Sequence, residues 1–221
     1  MYHYRKRCSK TGRNEKITVM EQYQGVKFKV QFIEEKILGF PIQNELITWG
    51  KKLSKLGCIP TYPHPEDPRI ISSAGNLSAR IGDRFIITAA GSNIGKLTNN
   101  DFVEILKVDI YSKTITANGI KEPSSETMLH KSIYQKRHDV QVIFHGHNQE
   151  LLTLCSQIGL VSTKKWHPYG TRELMESVCE VLGKNSNIII MKDHGFLSFG
   201  KTCQQAGNLV IQVLLKIKKS R

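Results

Sequence analysis

NLSARIGDRFIITAAGSNIGKLTNNDFVEILKVDIYSKTITANG, Asn76 to Gly119, holds four short strand-like runs in succession: NLSAR, RFIITAA, EILKVDI and TITANG. Glycines and polar turns separate them. A chain that alternated strand and helix throughout would predict a doubly wound parallel sheet. A run of consecutive strands instead predicts antiparallel neighbours within a mixed sheet.

Working outward, the flanking segments supply helices. Downstream, a helix is predicted to begin at Ser124 or Ser125, either of which can cap it, with Leu129 and Ile133 on its inner face. VQVIF, Val140 to Phe144, reads as a buried strand, and Asn148 as the cap of a helix through QELLTLCSQIG. Thr171 is predicted to cap another helix, through Leu174, Val178, Val181 and Leu182 to Gly183. NIIIMK is a strand, FLSF a short one, and Thr202 with Gln205 matches a capping box before a last helix. Upstream, Ile42, Leu46, Trp49, Leu53 and Leu56 recur at three- and four-residue steps after Pro41 and stop at Gly57. That pattern is an amphipathic helix with a glycine at its end. A proline-rich loop follows, from Cys58 to Arg69. Before the helix, VKFKVQF alternates Val26, Phe28, Val30 and Phe32 with polar residues, the period of a strand with one buried face.

At 221 residues, 39% of them hydrophobic, the chain is long enough for one domain with a real core and is not of disordered composition. The polar, basic start has no apolar core of a secretory signal, and no apolar run is long enough to span a membrane. The five cysteines are scattered without a CxxC pair, which points to reduced thiols and a cytoplasmic protein. Net charge is +13. The positive residues gather loosely at the N-terminus (Arg5, Lys6, Arg7, Lys10, Arg13, Lys16) and the C-terminus (Lys216, Lys218, Lys219, Arg221), with no zinc-finger spacing or RNA-binding aromatic signature. That argues against a nucleic-acid partner and leaves solvated ends or attraction of small anions such as sugar phosphates.

Candidate chemistry sits at the strand ends. In VIFHGHN, strand alternation sends His145 and His147 to one side, with Cα atoms roughly 6–7 Å apart. Two imidazoles so placed can converge on one zinc ion. A catalytic site needs a third ligand, and MKDHGFLSFG offers His194 directly after an apolar strand. Each signal alone is weak: a lone HxH more often serves structure, and a lone DHG more often marks a turn. Glu126 in EPSSETMLH is placed on the first turn of a helix beside two hydroxyls and free helix N–H groups, where an anion could bind, or where the carboxylate simply complements the dipole. SSAGNLSAR (Ser72 to Arg80) and TAAGSN (Thr88 to Asn93) are two further anion-suited stretches with glycines that let backbone approach a ligand.

GNLSAR, FIITAAGSNIGKLTNNDFVEI, PSSETMLHKSIYQKRHDVQVIFHGH, YGTRELMESV and KDHGFLSFG, in that order and spacing, resemble the class II aldolase/adducin family. The resemblance runs from about Pro41 to the end. Residues 1–38 are read as an N-terminal extension with one edge strand, and residues 39–221 as the family-like domain. The resemblance implies an α/β fold: a three-layer α/β/α sandwich around a mixed, largely antiparallel central sheet. It implies that His145, His147 and His194 hold zinc, or another divalent transition metal suited to histidine. It implies that Glu126 is the acid/base carboxylate. Gly75, Asn76, Ser124 and Ser125 match the family's substrate-phosphate cradle, with Gly91 in the second anion loop. The implied partner is a small phosphorylated sugar, and the implied assembly a homo-oligomer, commonly a tetramer with active sites at subunit contacts.

Glu126, where the family's epimerases carry Asp, favours aldolase-like cleavage of a ketose 1-phosphate to dihydroxyacetone phosphate and an aldehyde. Four features depart from the fuculose-phosphate aldolases. Ala90 stands where they have Thr, with Ser92 as a possible replacement. Trp166 stands where they have a tyrosine, with His167 or Tyr169 as substitutes. The stretch from His147 to Gly170 is shorter, and the chain stops at Arg221 without their substrate-covering tail. Dehydration, epimerisation or decarboxylation at the same site is the alternative. A non-catalytic adducin-like binding module is a third reading, disfavoured by the retained histidines and glutamate.

Overall fold

The chain is described by a computed structural model over residues 25–63, 67–183 and 186–219. The basic residues before Gly25, together with Cys8, His64 and Arg221, lie outside the described residues. In chain order the elements are β1 (Lys29–Glu34), α1 (Ile42–Lys55), β2 (Thr61–Pro63), β3 (Ile71–Ser73), β4 (Gly75–Ile81), β5 (Arg84–Thr88), β6 (Phe102–Asp109), β7 (Thr114–Asn118), α2 (Thr127–Lys136), β8 (Val142–Gly146), α3 (Gln149–Leu154), β9 (Val161–Ser162), α4 (Arg172–Val181), β10 (Ile188–Met191), β11 (Gly195–Gly200) and α5 (Cys203–Lys219). Nine strands form one sheet in the order β1-β7-β6-β5-β4-β8-β11-β10-β9. Only the outermost pairs, β1 with β7 and β9 with β10, are parallel. The run of strands from β4 to β7 is a plain antiparallel meander. No helix among the described residues is long and apolar enough to cross a membrane.

Period-two alternation sorts the sheet's side chains into two cores. Leu77, Ala79, Ile86, Val142, Phe144, Ile190 and Phe196 face α1, α3 and α5, with Leu46, Leu53, Leu151, Val210 and Val213 packed on them. Phe85, Ile87, Val103, Ile143, Ile189 and Leu197 face α2 and α4, covered by Leu129, Ile133, Leu174 and Val178. The result is the expected three-layer sandwich, a mixed sheet with helices on both faces. Trp49 of α1 tilts against Phe144, with ring centroids 6.3 Å apart.

Several local details differ from the sequence reading. Leu56 closes α1 at its C-cap and is left exposed, while Gln43 takes a buried place on the inner face. The proline-rich loop contains a small separate hairpin, β2 with β3, too short to register as a period. Helix α3 stops at Leu154 because the following residues tighten into single turns, Gln157 N–H to Leu154 O and Gly159 N–H to Ser156 O. Thr202 Oγ1 accepts from Gln205 N–H (3.1 Å), but the return bond from Gln205 goes to Lys201 N–H (2.9 Å) instead of closing the box on Thr202.

The extension's strand is part of the main sheet. Lys29 to Phe32 pair in register with Thr114 to Ala117. Phe28, Val30 and Phe32 pack against the α2/α4-side core. Leu38, just after, is buried in the other core.

Candidate metal centre

β8 lies between β4 and β11, antiparallel to both. Its alternation puts Ile143 and His145 on the α2 face, and His147 continues on that side just past the strand end. The turn between β10 and β11 folds back through Asp193, which is left-handed (φ 54°), and His194 N–H bonds Met191 O at 3.1 Å. His194 thereby arrives at the same end of the sheet. Ring centroids are 4.8 Å apart for His145 and His147, 5.0 Å for His147 and His194, and 5.3 Å for His145 and His194. One nitrogen from each ring lies within 4.8 Å of the others.

Two glycines make this convergence possible. A Cβ on Gly195 would stand 2.6 Å from Gly146 O and 2.7 Å from His145 Cε1, so any side chain there forces the strands apart or a ring out. Gly75 (φ 136°) lies opposite Gly146, where a Cβ would meet His145 O at 2.5 Å. Its neighbour Asn76 is therefore brought into register with His145.

The donor set fits a divalent transition metal. His145 Nδ1 bonds Phe196 O at 2.9 Å. That bond commits the Nδ1 proton and leaves the Nε2 lone pair to face inward, the tautomer a ligand needs. His145 Nε2 and His147 Nε2 are 3.0 Å apart. Burial lowers the pKa of both rings and holds them in the neutral, ligating form, against the pull of the nearby Glu126 charge.

Glu126 borders this triangle, 4% exposed. Its Oε1 lies 3.0 Å from His194 Nε2, and its Oε2 lies 3.2 Å from His145 Nε2. Asn76 Nδ2 donates to Oε2 at 3.0 Å. Burial alone would raise the carboxyl pKa. The electrostatic pull of the adjacent His145 ring, the hydrogen bond and pull of His194 and the Asn76 amide outweigh it and hold the group well below the usual carboxylate range. Glu126 is thus an ionised, oriented acceptor in a largely dry setting.

The start of α2 departs from expectation. Neither Ser124 nor Ser125 is the N-cap. The helix begins at Thr127, and Glu126 occupies the cap position, not the first turn. The preceding residues are held alongside the end of β5: Ala89 bridges Pro123, Ala90 N–H bonds Glu122 O, and Ser124 N–H bonds Thr88 O at 3.1 Å. Thr127 N–H is also taken, by Ser124 O, and Glu126 N–H leans on Ser124 Oγ at 3.4 Å. These amides are not the free helix donors the sequence suggested.

The three glycine- and serine-bearing stretches nevertheless meet. Gly75 and Asn76 open β4, Gly91 lies in the turn after β5, and Ser124 and Ser125 precede α2. Ser73 N–H bonds Ser92 O, and a Cβ on Gly91 would lie 3.8 Å from Ser72 Oγ. Ser72 Oγ, Ser92 Oγ and Asn76 Oδ1 are buried without a hydrogen-bond partner among the described residues. Such groups are rare unless a ligand or water satisfies them.

Trp166, which stands in the tyrosine's place, is 44% exposed, and Tyr169, offered with His167 as a substitute, turns its hydroxyl to Gly25 O at 3.3 Å. The Tyr169 hydroxyl thus meets the N-terminal extension. Sequence reasoning also passed over His130, Ser78 and Tyr134. Ser78 Oγ is 2.7 Å from both His130 Nδ1 and Tyr134 OH, directly behind the site. The signal was present, since His130 follows Glu126 by one helical turn and Ser78 follows Asn76 by one strand repeat.

Residues 70–214 match the family described as Class II Aldolase and Adducin N-terminal domain. An L-fuculose phosphate aldolase of Methanocaldococcus jannaschii is 31% identical over 148 residues, covering 60% of this chain and 75% of that protein. A methylthioribulose-1-phosphate dehydratase of Pseudoalteromonas translucida is 36% identical over 115 residues, 52% of this chain and 46% of that protein. Among solved structures, an L-fuculose 1-phosphate aldolase superposes with a TM-score of 0.64 at 23% identity, over 82% of this chain and 85% of that one. A sugar-phosphate aldolase from Thermotoga maritima gives 0.63 at 17% identity, over 80% and 91%. At such identities the structural likeness speaks for the fold.

Proposed function

The chain belongs to the class II aldolase and adducin family, and on that premise we propose that it is a metal-dependent lyase acting on a phosphorylated ketose. The reaction proposed is reversible cleavage to dihydroxyacetone phosphate and an aldehyde. The observation that carries this reading is the placement of the Glu126 carboxylate 3.0–3.2 Å from two of three converged histidines, beside the Asn76 amide, whose Oδ1 is buried without a partner among the described residues.

His145, His147 and His194 would hold the ion, with Zn²⁺ the first choice and Co, Ni, Fe or Mn suited to the same donors. When bound, such an ion supplies Lewis-acid polarisation of a carbonyl oxygen. The chain's own groups do the rest. Glu126, ionised and fixed by Asn76, accepts a proton at a carboxylate oxygen and can return it to the carbon beside the carbonyl. Ser72, Ser92, Ser124 and Ser125 offer hydroxyls to the phosphate. Anchoring that end aligns the reacting carbons, which is where orientation gains arise. The buried setting of Glu126 and His145 keeps bulk water from the proton.

The 36% identity to a methylthioribulose-1-phosphate dehydratase favours one second reading, elimination of water from a related substrate with the same base. Product analysis with ketose 1-phosphates separates the two. Triose phosphate plus aldehyde supports cleavage, whereas an intact carbon chain one water lighter replaces it with dehydration. A metal-free chain indifferent to chelators would remove both.

A further inference from the structure

The N-terminal extension lies outside residues 70–214, yet its first described residues touch the site. Ser125 Oγ donates to Gly25 O at 3.4 Å, and Tyr169 OH donates to the same carbonyl at 3.3 Å. Lys27 Nζ donates to Tyr169 O at 2.8 Å and stands 4.0 Å from the centroid of the Tyr169 ring. A Cβ on Gly170 would lie 3.0 Å from Ser125 O and 3.6 Å from Lys27 Cδ, so the Lys27 stem, Ser125 and the turn at Gly170 are packed about one point. Phe28, just beyond Lys27, leads into β1, which is fastened to the sheet by Lys29 N–H to Lys113 O at 2.8 Å and by its ladder with β7. The extension is thus anchored at one end to the sheet edge and at the other to the proposed phosphate cradle.

We propose that Gly25 to Lys27 form part of the active-site wall, with Lys27 a positioning residue that holds Ser125 and the Tyr169–Gly170 turn ready for the substrate's phosphoryl group. The proposal rests on the reading of Ser125 as a phosphate ligand. The Gly25 carbonyl accepts from Ser125 at the long end of hydrogen-bond range and helps to aim the hydroxyl. A phosphate oxygen, charged and a better acceptor, takes that proton, while Tyr169 stays on Gly25 O. Lys27 contributes in two ways. Its bond to the Tyr169 carbonyl and its contact with the ring fix the turn. Its half-buried ammonium adds positive potential beside the serines, in a place where water screens it less than at the surface. The family-like part of the chain therefore gains an anion-holding element from a segment the family match does not include.

The test measures binding of inorganic phosphate to the full-length chain by calorimetry, alongside kinetics on the phosphorylated ketose that proves to be turned over. Lys27→Met is expected to weaken phosphate binding about five- to tenfold, the scale of a hydrogen-bonded charge. It is expected to raise KM by a similar factor with kcat and metal content near those of the parent, and Lys27→Arg is expected to restore binding. Ser125→Ala is measured in parallel. If Ser125→Ala weakens phosphate binding and Lys27→Met does not, the wall role is overturned and the cradle stands. If neither changes it, the cradle reading falls, and this inference with it. A loss of kcat and metal in Lys27→Met with unchanged phosphate affinity would mean a structural role only and also overturn the proposal. Should Lys27→Met not fold, Lys27→Leu removes both the donor for Tyr169 O and the charge, and parental phosphate affinity in that variant overturns it as well.

Discussion

His145, His147, His194 and Glu126 divide into two tasks, and substitution should separate them. Removing an imidazole takes away a donor nitrogen, whereas Glu126→Gln keeps the shape and the Asn76 neighbour but cannot accept a proton. His145→Ala and His194→Ala are expected to lose bound metal by elemental analysis. Glu126→Gln is expected to retain it while turnover falls about 10²–10⁴-fold. Full metal content in the histidine variants would refute the ligand assignment. His130 gives a second prediction. Burial pushes its pKa down to about 3, helped by His145 and opposed by the Glu126 charge. The unfolded chain protonates this ring as pH falls through its ordinary value of 6.5, whereas the folded chain stays neutral until about 3. The unfolded state then binds more protons, so stability is lost as pH drops through that window, by up to about 1.4 kcal/mol per pH unit for this one group. Urea midpoints measured between pH 7 and 5 should fall less steeply in His130→Gln than in the parent, and parallel slopes would remove His130 from the account.

Among the elements, β8 and β11 carry the site, and their contact depends on a missing side chain. Gly195→Ala would place a methyl group against Gly146 O and the His145 ring, so either the hairpin shifts or the ring turns away. The expected result is a stability loss of about 1–3 kcal/mol together with weakened metal binding, read by denaturant titration and metal content. Most elements were legible in the sequence because their signals are local. The short runs of β4 to β7 between glycines and turns, the Asn148 and Thr171 caps and the apolar stripe of α1 each depend on neighbours only a few residues away, and the first three appear where expected. The same holds for His145 and His147, whose common face follows from strand alternation. What failed was set by contacts distant in sequence. The pairing of Ala89 with Pro123 delays the start of α2 and puts Glu126 at the cap, and nothing near Ser124 announces it. The contact of the Tyr169 hydroxyl with Gly25 was illegible for the same reason, since the two lie far apart along the chain.

For the molecule as a whole, the extension is the part whose role reaches furthest. Deleting residues 1–38 would strip β1 from β7, uncover the surface held by Phe28, Val30 and Phe32, and remove buried Leu38. A loss of about 3–5 kcal/mol is expected from that apolar surface alone. Self-association is expected as well, because β7 would become an open edge. Denaturant midpoints and light scattering check both, and an unchanged, monodisperse truncated chain would show β1 to be dispensable. The turn holding His194 has a consequence of another kind. Two of the three imidazoles sit at the end of β8 and the third follows β10, with α3, β9 and α4 strung between them. An ion gripping all three would act as a staple across that loop, restraining the unfolded chain much as a covalent bridge does. Resistance to heat would then track the free concentration of the ion, making the fold itself a gauge of metal supply.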